Sequence, residues 1–108
     1  MKHYRVQIVE DAERDLIDIY RYIAFHDSPE NADYVIDQLE SLCLRLSEFP
    51  QRGHVPLELD RIGVTDYREV LFKPYRIIYQ IIRQDIYVHC IFDGRRDILS
   101  FLERRLLR

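Results

Sequence analysis

The stretch YREVLFKPYRIIYQIIRQDIYVHCIFD, residues 67–93, decides the fold. Apolar and polar residues alternate along most of it, with the two-residue period of β-strands. Two short breaks divide it, at Lys73-Pro74 and at Gln84-Asp85, and Asp93-Gly94 ends it. We therefore predict three strands: Tyr67–Phe72, Tyr75–Arg83 and Ile86–Phe92. Because their connections are short, consecutive strands should pair as an antiparallel meander.

The residues before this meander predict one strand and a first helix. Tyr4, Val6 and Ile8 alternate with polar residues, as in a short strand. Asp11 can cap a helix, in which apolar residues recur at helical spacing as far as Ile23. The polar residues that follow predict a break before the next helix.

A second helix follows this break. Ser28 is a favourable N-cap residue, and Pro29 suits the first helical position. One apolar stripe then continues to Phe49, where Pro50 and Gly53 end it. Two amphipathic helices joined by a few residues must bury their stripes, so we expect an α-helical hairpin.

Two further segments complete the predicted fold. Residues 51–66 lack a clear period and predict a loop, whereas residues 97–107 predict a short C-terminal helix. The predicted class is α+β, with an N-terminal strand, the helical hairpin, the meander and the terminal helix in one domain over residues 1–108. The hairpin can cover only one sheet face, so the other face must meet solvent, a partner or the C-terminal helix.

Charge is unevenly distributed along the chain. The formal net charge of −3 gives no overall attraction to nucleic acid. Carboxylates concentrate between Asp11 and Glu48, whereas arginines concentrate near the C-terminus: Arg95, Arg96, Arg104, Arg105 and Arg108. A local basic surface is therefore compatible with an acidic protein. The N-terminus lacks a signal-peptide pattern and no stretch reaches the ~20 apolar residues of a membrane span, so we expect a cytoplasmic protein.

Cysteine and histidine spacing gives no metal-binding pattern. Cys43 and Cys90 lie within apolar patterns, and we interpret them as reduced thiols of the core. The histidines are scattered: His3, His26, His54 and His89. The three glycines stand alone and form no phosphate-binding loop. We therefore expect neither a metal ion nor a cofactor.

The arginines are the candidate binding residues. Alternation along the second predicted strand puts Arg76 on the face opposite to Tyr75 and Ile77. We place Arg76 away from the hairpin, because an arginine is costly against apolar helices. Three other arginines could converge with it on a phosphate or carboxylate: Arg68, Arg95 and Arg96. Alternatively, Arg76 pairs with Glu69 or Asp97 and only stabilises the sheet.

Six segments in this order resemble a known family over nearly the whole chain: Ala12-Glu13-Arg14-Asp15-Leu16, Tyr22-Ile23, Phe49-Pro50-Gln51-Arg52-Gly53, Tyr67-Arg68-Glu69-Val70, Pro74-Tyr75-Arg76-Ile77-Ile78-Tyr79 and Asp93-Gly94-Arg95-Arg96-Asp97. The ordered set resembles the RelE/ParE superfamily of type II toxins, often labelled plasmid stabilisation proteins. The resemblance implies a growth-arresting toxin that a cognate antitoxin neutralises by folding into a groove, and it allows higher-order complexes. Three apolar residues would suit that antitoxin: Ile78, Ile82 and Leu106.

The superfamily contains two activities, and the resemblance extends to both. ParE-like members inhibit DNA gyrase, whereas RelE-like members cleave mRNA on the ribosome without a metal ion. Three arginines match basic positions of the RelE pattern and are the catalytic candidates for a nuclease: Arg68, Arg76 and Arg96. Val70 and Leu102 stand where that pattern has a basic residue and a tyrosine, and no histidine lies at the end of the last strand or in the terminal helix.

The departures from the nuclease pattern favour the gyrase inhibitor. RNA cleavage by the 2′-hydroxyl needs a base, an acid and charge stabilisation, and arginine supplies only the last because it stays protonated. Glu58 or Glu69 could serve as a base. The preferred function is therefore a ParE-like inhibitor of DNA gyrase, and the alternative is an mRNA endoribonuclease. The candidate target-binding residues are Arg68, Arg76, Arg95, Arg96, Arg104 and Arg105.

Overall fold

The computed structural model describes residues 3–107, and its elements follow the predicted order. Arg108, counted above among the C-terminal arginines, lies outside the described residues. The elements are β1 (Arg5–Ile8), α1 (Glu10–His26), α2 (Pro29–Arg45), α3 (Leu57–Asp60), β2 (Arg68–Phe72), β3 (Tyr75–Ile82), β4 (Asp85–Asp93) and α4 (Ile98–Leu106). The predicted α+β class is confirmed. The predicted loop over residues 51–66 contains the additional short helix α3.

The four strands form one sheet in the order β1-β4-β3-β2. The antiparallel pairs β2–β3 and β3–β4 confirm the predicted meander. The first strand pairs with β4 in parallel, from Arg5 opposite Asp85 to Ile8 opposite Val88. A turn of Arg83 and Gln84 connects β3 to β4, one residue earlier than predicted, and Arg83 has the left-handed φ of 57° common in such turns.

The structure confirms the predicted N-cap of α2 but not that of α1. The Ser28 hydroxyl accepts a hydrogen bond from the Asn31 N–H at 3.0 Å and caps α2, as predicted. Helix α1 begins one residue before Asp11, and its N-cap is Val9, which has no side-chain acceptor. The expectation that Asp11 caps α1 is therefore wrong. Because Asp11 lies in the first turn, its carboxylate still interacts favourably with the helix dipole.

A β-bulge in β4 changes which residues face the hairpin. Ile78 pairs with Cys90, whereas the next residue of β3, Tyr79, pairs with Val88, which leaves His89 without a partner on β3. An extra residue in one strand reverses the inward and outward alternation beyond it. Val88 and Ile91 therefore both pack against the hairpin, although they are three residues apart.

Two hydrophobic cores lie on opposite faces of the sheet. The larger core joins β1, β3 and β4 to the apolar stripes of α1 and α2. The smaller core packs α3 and α4 against the other face, through Leu59, Ile78, Cys90, Phe92, Ile98 and Leu102. The second face is thus covered in part by the C-terminal helix, one of the three arrangements left open by the sequence. Ile78 is 0% exposed, so its proposed availability to an antitoxin is wrong.

The two cysteines belong to different cores. Cys43 on α2 packs into the larger core, and Cys90 on β4 packs into the smaller core. Both thiols are free. Burial raises the pKa of each thiol to about 12. Both side chains therefore act as protonated core residues, as the sequence predicts.

The segment after α2 is fixed to the sheet by the hydroxyl of Tyr79. This hydroxyl accepts a hydrogen bond from the Gly53 N–H at 3.0 Å and donates to the Pro50 carbonyl at 2.8 Å. A Cβ atom at Gly53 would lie 2.3 Å from the Glu69 carbonyl oxygen, so no larger residue fits there. The guanidinium of Arg68 donates to the Gly53 carbonyl from the same side. The Pro50–Gly53 segment is therefore a structural anchor.

Replacing Tyr79 by Phe should destabilise the fold through this anchor. The variant leaves the buried Gly53 N–H without an acceptor, which costs about 1–3 kcal/mol of unfolding free energy. Tyr34→Phe is the matched control, because the Tyr34 side chain is exposed. Urea unfolding, monitored by circular dichroism, measures the unfolding free energy of both variants. Equal losses in the two variants would contradict the assignment.

Candidate functional site

The centre of the candidate site is the guanidinium of Arg76 on β3, which two carboxylates bind side by side. Its Nε donates to Glu69 Oε1 at 2.6 Å, and its Nη2 donates to Glu69 Oε2 at 3.1 Å. Its Nη1 and Nη2 also donate to the two oxygens of Glu58, each at 2.8 Å. The same guanidinium lies 5.5 Å from the ring centre of Phe92. Four of its five N–H groups are therefore used within the protein.

Neighbouring elements place these three side chains together. Strand β2 supplies Glu69, and the short helix α3 supplies Glu58. Gly94 leaves room for the arginine stem, since a Cβ atom there would lie 2.8 Å from Arg76 Cδ. The side chain of Arg76 is 13% exposed and that of Glu69 is 5% exposed. The face predicted for Arg76, away from the hairpin, is confirmed, and so is its alternative pairing with Glu69.

The charge of this cluster opposes anion binding. One guanidinium and two carboxylates carry a formal charge of −1, and the cationic N–H groups already point at protein oxygens. Hydrogen bonding by Arg76, the largest effect, lowers the pKa of Glu58, which favours its ionised form. Hydrogen bonds to Glu58 and Glu69 raise the pKa of Arg76. The expected convergence of arginines on a phosphate at Arg76 does not occur.

A histidine that sequence spacing did not single out joins the cluster. The Nε2 atom of His54 lies 3.1 Å from Glu69 Oε2, and the imidazole is largely exposed. The backbone groups of His54 and Glu69 also exchange hydrogen bonds, at 3.1 and 2.7 Å. His54 is therefore a side chain that can carry a proton next to the Arg76 cluster. It was missed because it lies in the segment predicted as an irregular loop.

The other predicted arginines lie in separate places. Arg68 projects from the face of β2 opposite to Arg76 and donates to the Gln51 carbonyl at 3.1 Å. Arg95 is exposed and forms an ion pair with Asp93 at 2.6 Å. The prediction that these side chains meet at one anion site is wrong. For Arg68 the separation follows from strand alternation, because Arg68 pairs with Tyr79, which points to the face opposite to Arg76.

Arg105 holds the C-terminal helix to the bulge in β4. Its Nη1 and Nη2 each donate to a carboxylate oxygen of Asp15 at 3.0 Å, and its Nη2 also donates to the His89 carbonyl at 2.9 Å. Asp15 Oδ2 accepts from the Ile91 N–H at 2.9 Å. The carboxylate and the guanidinium thus satisfy backbone groups of β4 where β1 no longer pairs with it. Asp15 was not predicted to have this role.

Three of the six candidate arginines have no carboxylate partner within residues 3–107: Arg68, which donates to backbone carbonyls, and the exposed Arg96 and Arg104. Within residues 3–107, neither Arg96 nor Arg104 has a carboxylate oxygen within 4 Å, and both are exposed. Arg96 lies over the ring of Phe101 at 5.5 Å. Arg104 borders a shallow surface depression of α4 together with Ser100, Glu103 and Leu107. Arg96, in the connection before α4, and Arg104 on α4 are therefore the exposed candidate arginines without a carboxylate partner.

The apolar antitoxin candidates also differ in their accessibility. Ile82 is 47% exposed at the end of β3, whereas Leu106 packs half-buried against the smaller core. Ile82 is therefore the most accessible of the three. Among residues 3–107, no three His, Cys, Asp or Glu side chains are grouped as metal ligands. None of the helices described is both long and apolar enough to cross a membrane.

Solved structures from two toxin–antitoxin systems share this fold. A chain of the chromosomal ParDE toxin–antitoxin system from P. aeruginosa has a TM-score of 0.71 at 18% identity, over 84% of this chain and 96% of that chain. A chain of the RelBE2 toxin–antitoxin complex from Mycobacterium tuberculosis has a TM-score of 0.62 at 20% identity, over 86% and 93%. These two structures show the shared fold.

Sequence comparison identifies the family. A family model described as the ParE toxin of the type II toxin–antitoxin system, parDE, matches residues 6–98. The chain therefore belongs to the ParE toxin family. Toxin ParE3 of Caulobacter vibrioides is 28% identical over 91 residues, which cover 84% of this chain and 87% of that protein. The resemblance inferred from the ordered sequence segments is confirmed.

The Arg76 cluster should make the fold sensitive to acid through Glu58. The pKa of Glu58 is lowered from 4.5 on folding, so its stabilising effect is full above that value and is lost as the pH falls further. Glu58→Gln should therefore be less stable than the wild type at pH 7, and the difference should shrink below about pH 4.5. Urea unfolding across this pH range measures it.

Glu103→Gln is the control for this pH series. Glu103 is exposed on α4, and none of the described cations lies within 4 Å of its carboxylate. Its replacement should leave the unfolding free energy nearly unchanged at every pH. A difference between wild type and Glu58→Gln that does not change with pH would contradict the proposed ion pair.

Proposed function

We propose that the protein inhibits DNA gyrase as a ParE-type toxin and that a cognate antitoxin holds it inactive in the cytoplasm. Membership of the ParE family supports the toxin assignment. The observation that carries the choice of target is the saturation of Arg76 by Glu58 and Glu69. A binding activity against an enzyme needs no proton transfer and no phosphate site.

Electrostatics supports this choice over a nuclease. An mRNA substrate would bring its phosphate against a cluster with a formal charge of −1. To bind the phosphate, Arg76 would have to release Glu69, which has almost no contact with solvent, or Glu58, whose side chain is 30% exposed. Leaving a buried carboxylate without its partner costs several kcal/mol, on the order of 3–5. The penalty is largest for Glu69 and smaller for the partly exposed Glu58.

The outer side of α4 is the proposed surface for gyrase. Arg96 and Arg104 offer charges without a carboxylate partner within residues 3–107, Leu107 borders the same depression as Arg104, and Leu99 is exposed on the same helix. Arginine next to exposed apolar side chains is typical of protein interfaces. The remaining candidate arginines have internal partners: Arg68, Arg76, Arg95 and Arg105.

The partnership with an antitoxin rests on the relatives. Both solved structures that share the fold come from toxin–antitoxin systems, one named ParDE and one named RelBE2. Several large apolar side chains are exposed, among them Tyr22, Phe25 and Phe49, and exposed apolar surface favours a covered state. We infer that a cognate antitoxin covers part of this surface.

One observation favours a second candidate, a metal-independent mRNA endoribonuclease on the ribosome. The imidazole of His54 lies beside Glu69, and a carboxylate can orient a histidine that removes a proton from a 2′-hydroxyl. The sequence indicated only Glu58 or Glu69 as a possible base and did not single out this histidine. Because the same cluster repels phosphate, this function requires mRNA binding to rearrange Arg76.

Gyrase supercoiling of relaxed plasmid tests the proposal directly. The purified protein should abolish supercoiling, and the double variant Arg96→Ala/Arg104→Ala should need about tenfold more protein for half-inhibition. Arg21→Ala/Arg45→Ala is the matched control, because both arginines are exposed on the hairpin. Full supercoiling at a large excess of wild-type protein would exclude gyrase as the target.

A translation extract distinguishes the second candidate. If the protein arrests growth while translated mRNA stays intact, the nuclease is excluded. If mRNA is cut, and His54→Ala abolishes cutting while Arg96→Ala/Arg104→Ala does not, the nuclease assignment replaces the gyrase assignment.

A further inference from the structure

Helix α1 has a buried face and an exposed face, and both carry large apolar side chains. The buried face packs into the larger core. On the opposite face, Ile17 is 50% exposed, Tyr22 is 64% exposed and Phe25 is 84% exposed. Residues three and four positions apart share a helix face. The outer strip of α1 therefore consists of Arg14, Ile17, Asp18, Arg21, Tyr22 and Phe25, all of them exposed.

The two aromatic rings of the outer strip are held in place by His26. The Tyr22 ring stacks on the imidazole, with 4.1 Å between the ring centres, and the Phe25 ring meets the imidazole edge-on at 5.0 Å. The Nδ1 atom of His26 donates to the Tyr22 carbonyl at 2.9 Å, which fixes the imidazole on the last turn. Rings that are ordered before a contact forms lose little entropy when a partner covers them.

The charges of the outer strip balance, in contrast to those of the hairpin as a whole. Residues 10–45 contain ten carboxylates and only three arginines, and two of these arginines, Arg14 and Arg21, lie on the strip. Arg14 forms an ion pair with Glu10 at 2.6 Å. Within residues 3–107, neither Asp18 nor Arg21 has an oppositely charged side chain within 4 Å. One carboxylate and one guanidinium therefore stand open beside the exposed apolar residues.

We propose that two copies of this chain associate through the outer strips of their α1 helices, which run antiparallel about a two-fold axis. A two-fold contact brings one surface against itself, so that surface must be complementary to itself. Asp18 and Arg21 meet this condition, because Asp18 of each copy faces Arg21 of the other. The contact then has two ion pairs at its centre, one on each side of the axis.

The same register matches the remaining residues of the strip. In an antiparallel pair of helices, a step backward along one helix corresponds to an equal step forward along the other. Ile17 therefore lies opposite Tyr22 of the second copy, and Arg14 lies opposite Phe25 of the second copy. The first match buries an aliphatic side chain against an aromatic ring, and the second places a guanidinium next to an aromatic ring, which is a favourable cation–π arrangement. Like charges are not opposed at any of these positions.

The contact is small, and the dimer is accordingly weak. Helix α1 has 17 residues and a length of about 25 Å, so one such helix from each copy buries less than about 1,200 Å² in total. Interfaces of this size belong to transient complexes. The remaining carboxylates of two facing hairpins also repel each other, although about 0.15 M salt screens charges more than about 8 Å apart. We expect a dissociation constant on the order of 100 μM at this salt concentration.

Sedimentation velocity of the full chain between about 10 and 500 μM measures the association. The wild type should change from monomer to dimer over this range. Asp18→Arg and Arg21→Asp should each weaken the dimer about tenfold, because each variant brings two pairs of like charges together. The matched controls, Asp60→Arg and Arg52→Asp, make the same charge changes at exposed positions outside α1 and should dimerise like the wild type.

Mixing the two charge variants tests the register. Asp18→Arg presents two cations at these positions and Arg21→Asp presents two carboxylates, so an equimolar mixture should form a heterodimer with about the wild-type affinity. The double variant Asp18→Arg/Arg21→Asp should dimerise with itself, because the exchange restores both ion pairs. Tyr22→Ser/Phe25→Ser should weaken the wild-type dimer, since it removes the apolar contacts. Circular dichroism verifies that each variant is folded.

A wild-type chain that stays monomeric at about 500 μM would overturn the proposal. So would a mixture of the two charge variants that stays monomeric while the wild type dimerises. Gyrase supercoiling reports separately on the proposed toxin activity, because inhibition is measured far below the expected dissociation constant, where the chain is a monomer. If the wild type does not dimerise and Tyr22→Ser/Phe25→Ser loses inhibition of gyrase, the outer strip is a surface for that target instead.

Discussion

Arg76 is bound on two sides by carboxylates, and this interaction ties the short helix α3 to the paired strands β2 and β3. Strand β3 supplies the guanidinium, β2 supplies Glu69, and α3 supplies Glu58. The short helix has only one fully buried apolar residue, Leu59, so the ion pair fixes its position on the sheet. A residue that resembles a phosphate ligand in the sequence is therefore part of the framework.

The sequence predicts the fold where one local pattern decides the structure. The alternation of β2, β3 and β4 and the apolar stripe of α2 each reflect burial on one face, and the structure confirms them. The predictions fail where contacts between residues that are distant in the sequence determine the structure. The extra residue at His89 is visible only when β3 and β4 are paired, and α3 is too short for a helical period. The exposure of Ile78 depends on α4, which follows twenty residues later.

The site was less predictable than the fold, because its partners are far apart in the sequence. Glu58 is 18 positions from Arg76, and Asp15 is 90 positions from Arg105. Spacing can place an arginine on a strand face, but it cannot indicate which carboxylate will reach it. The ordered set of segments added the family, because it combines weak local signals over the whole chain. Only the three-dimensional contacts distinguish the arginines that have internal hydrogen bonds from those whose side chains face solvent.

The carboxylate of Asp15 has a further consequence for how the protein avoids self-association. Strand β1 ends at Ile8, so β4 would present an open edge beyond Val88 to any other extended chain. Asp15 occupies the Ile91 N–H there, and Arg105 occupies the His89 carbonyl. Charged groups on an open strand edge prevent it from templating aggregation. A helix and the C-terminal segment thus close a sheet that its first strand is too short to close.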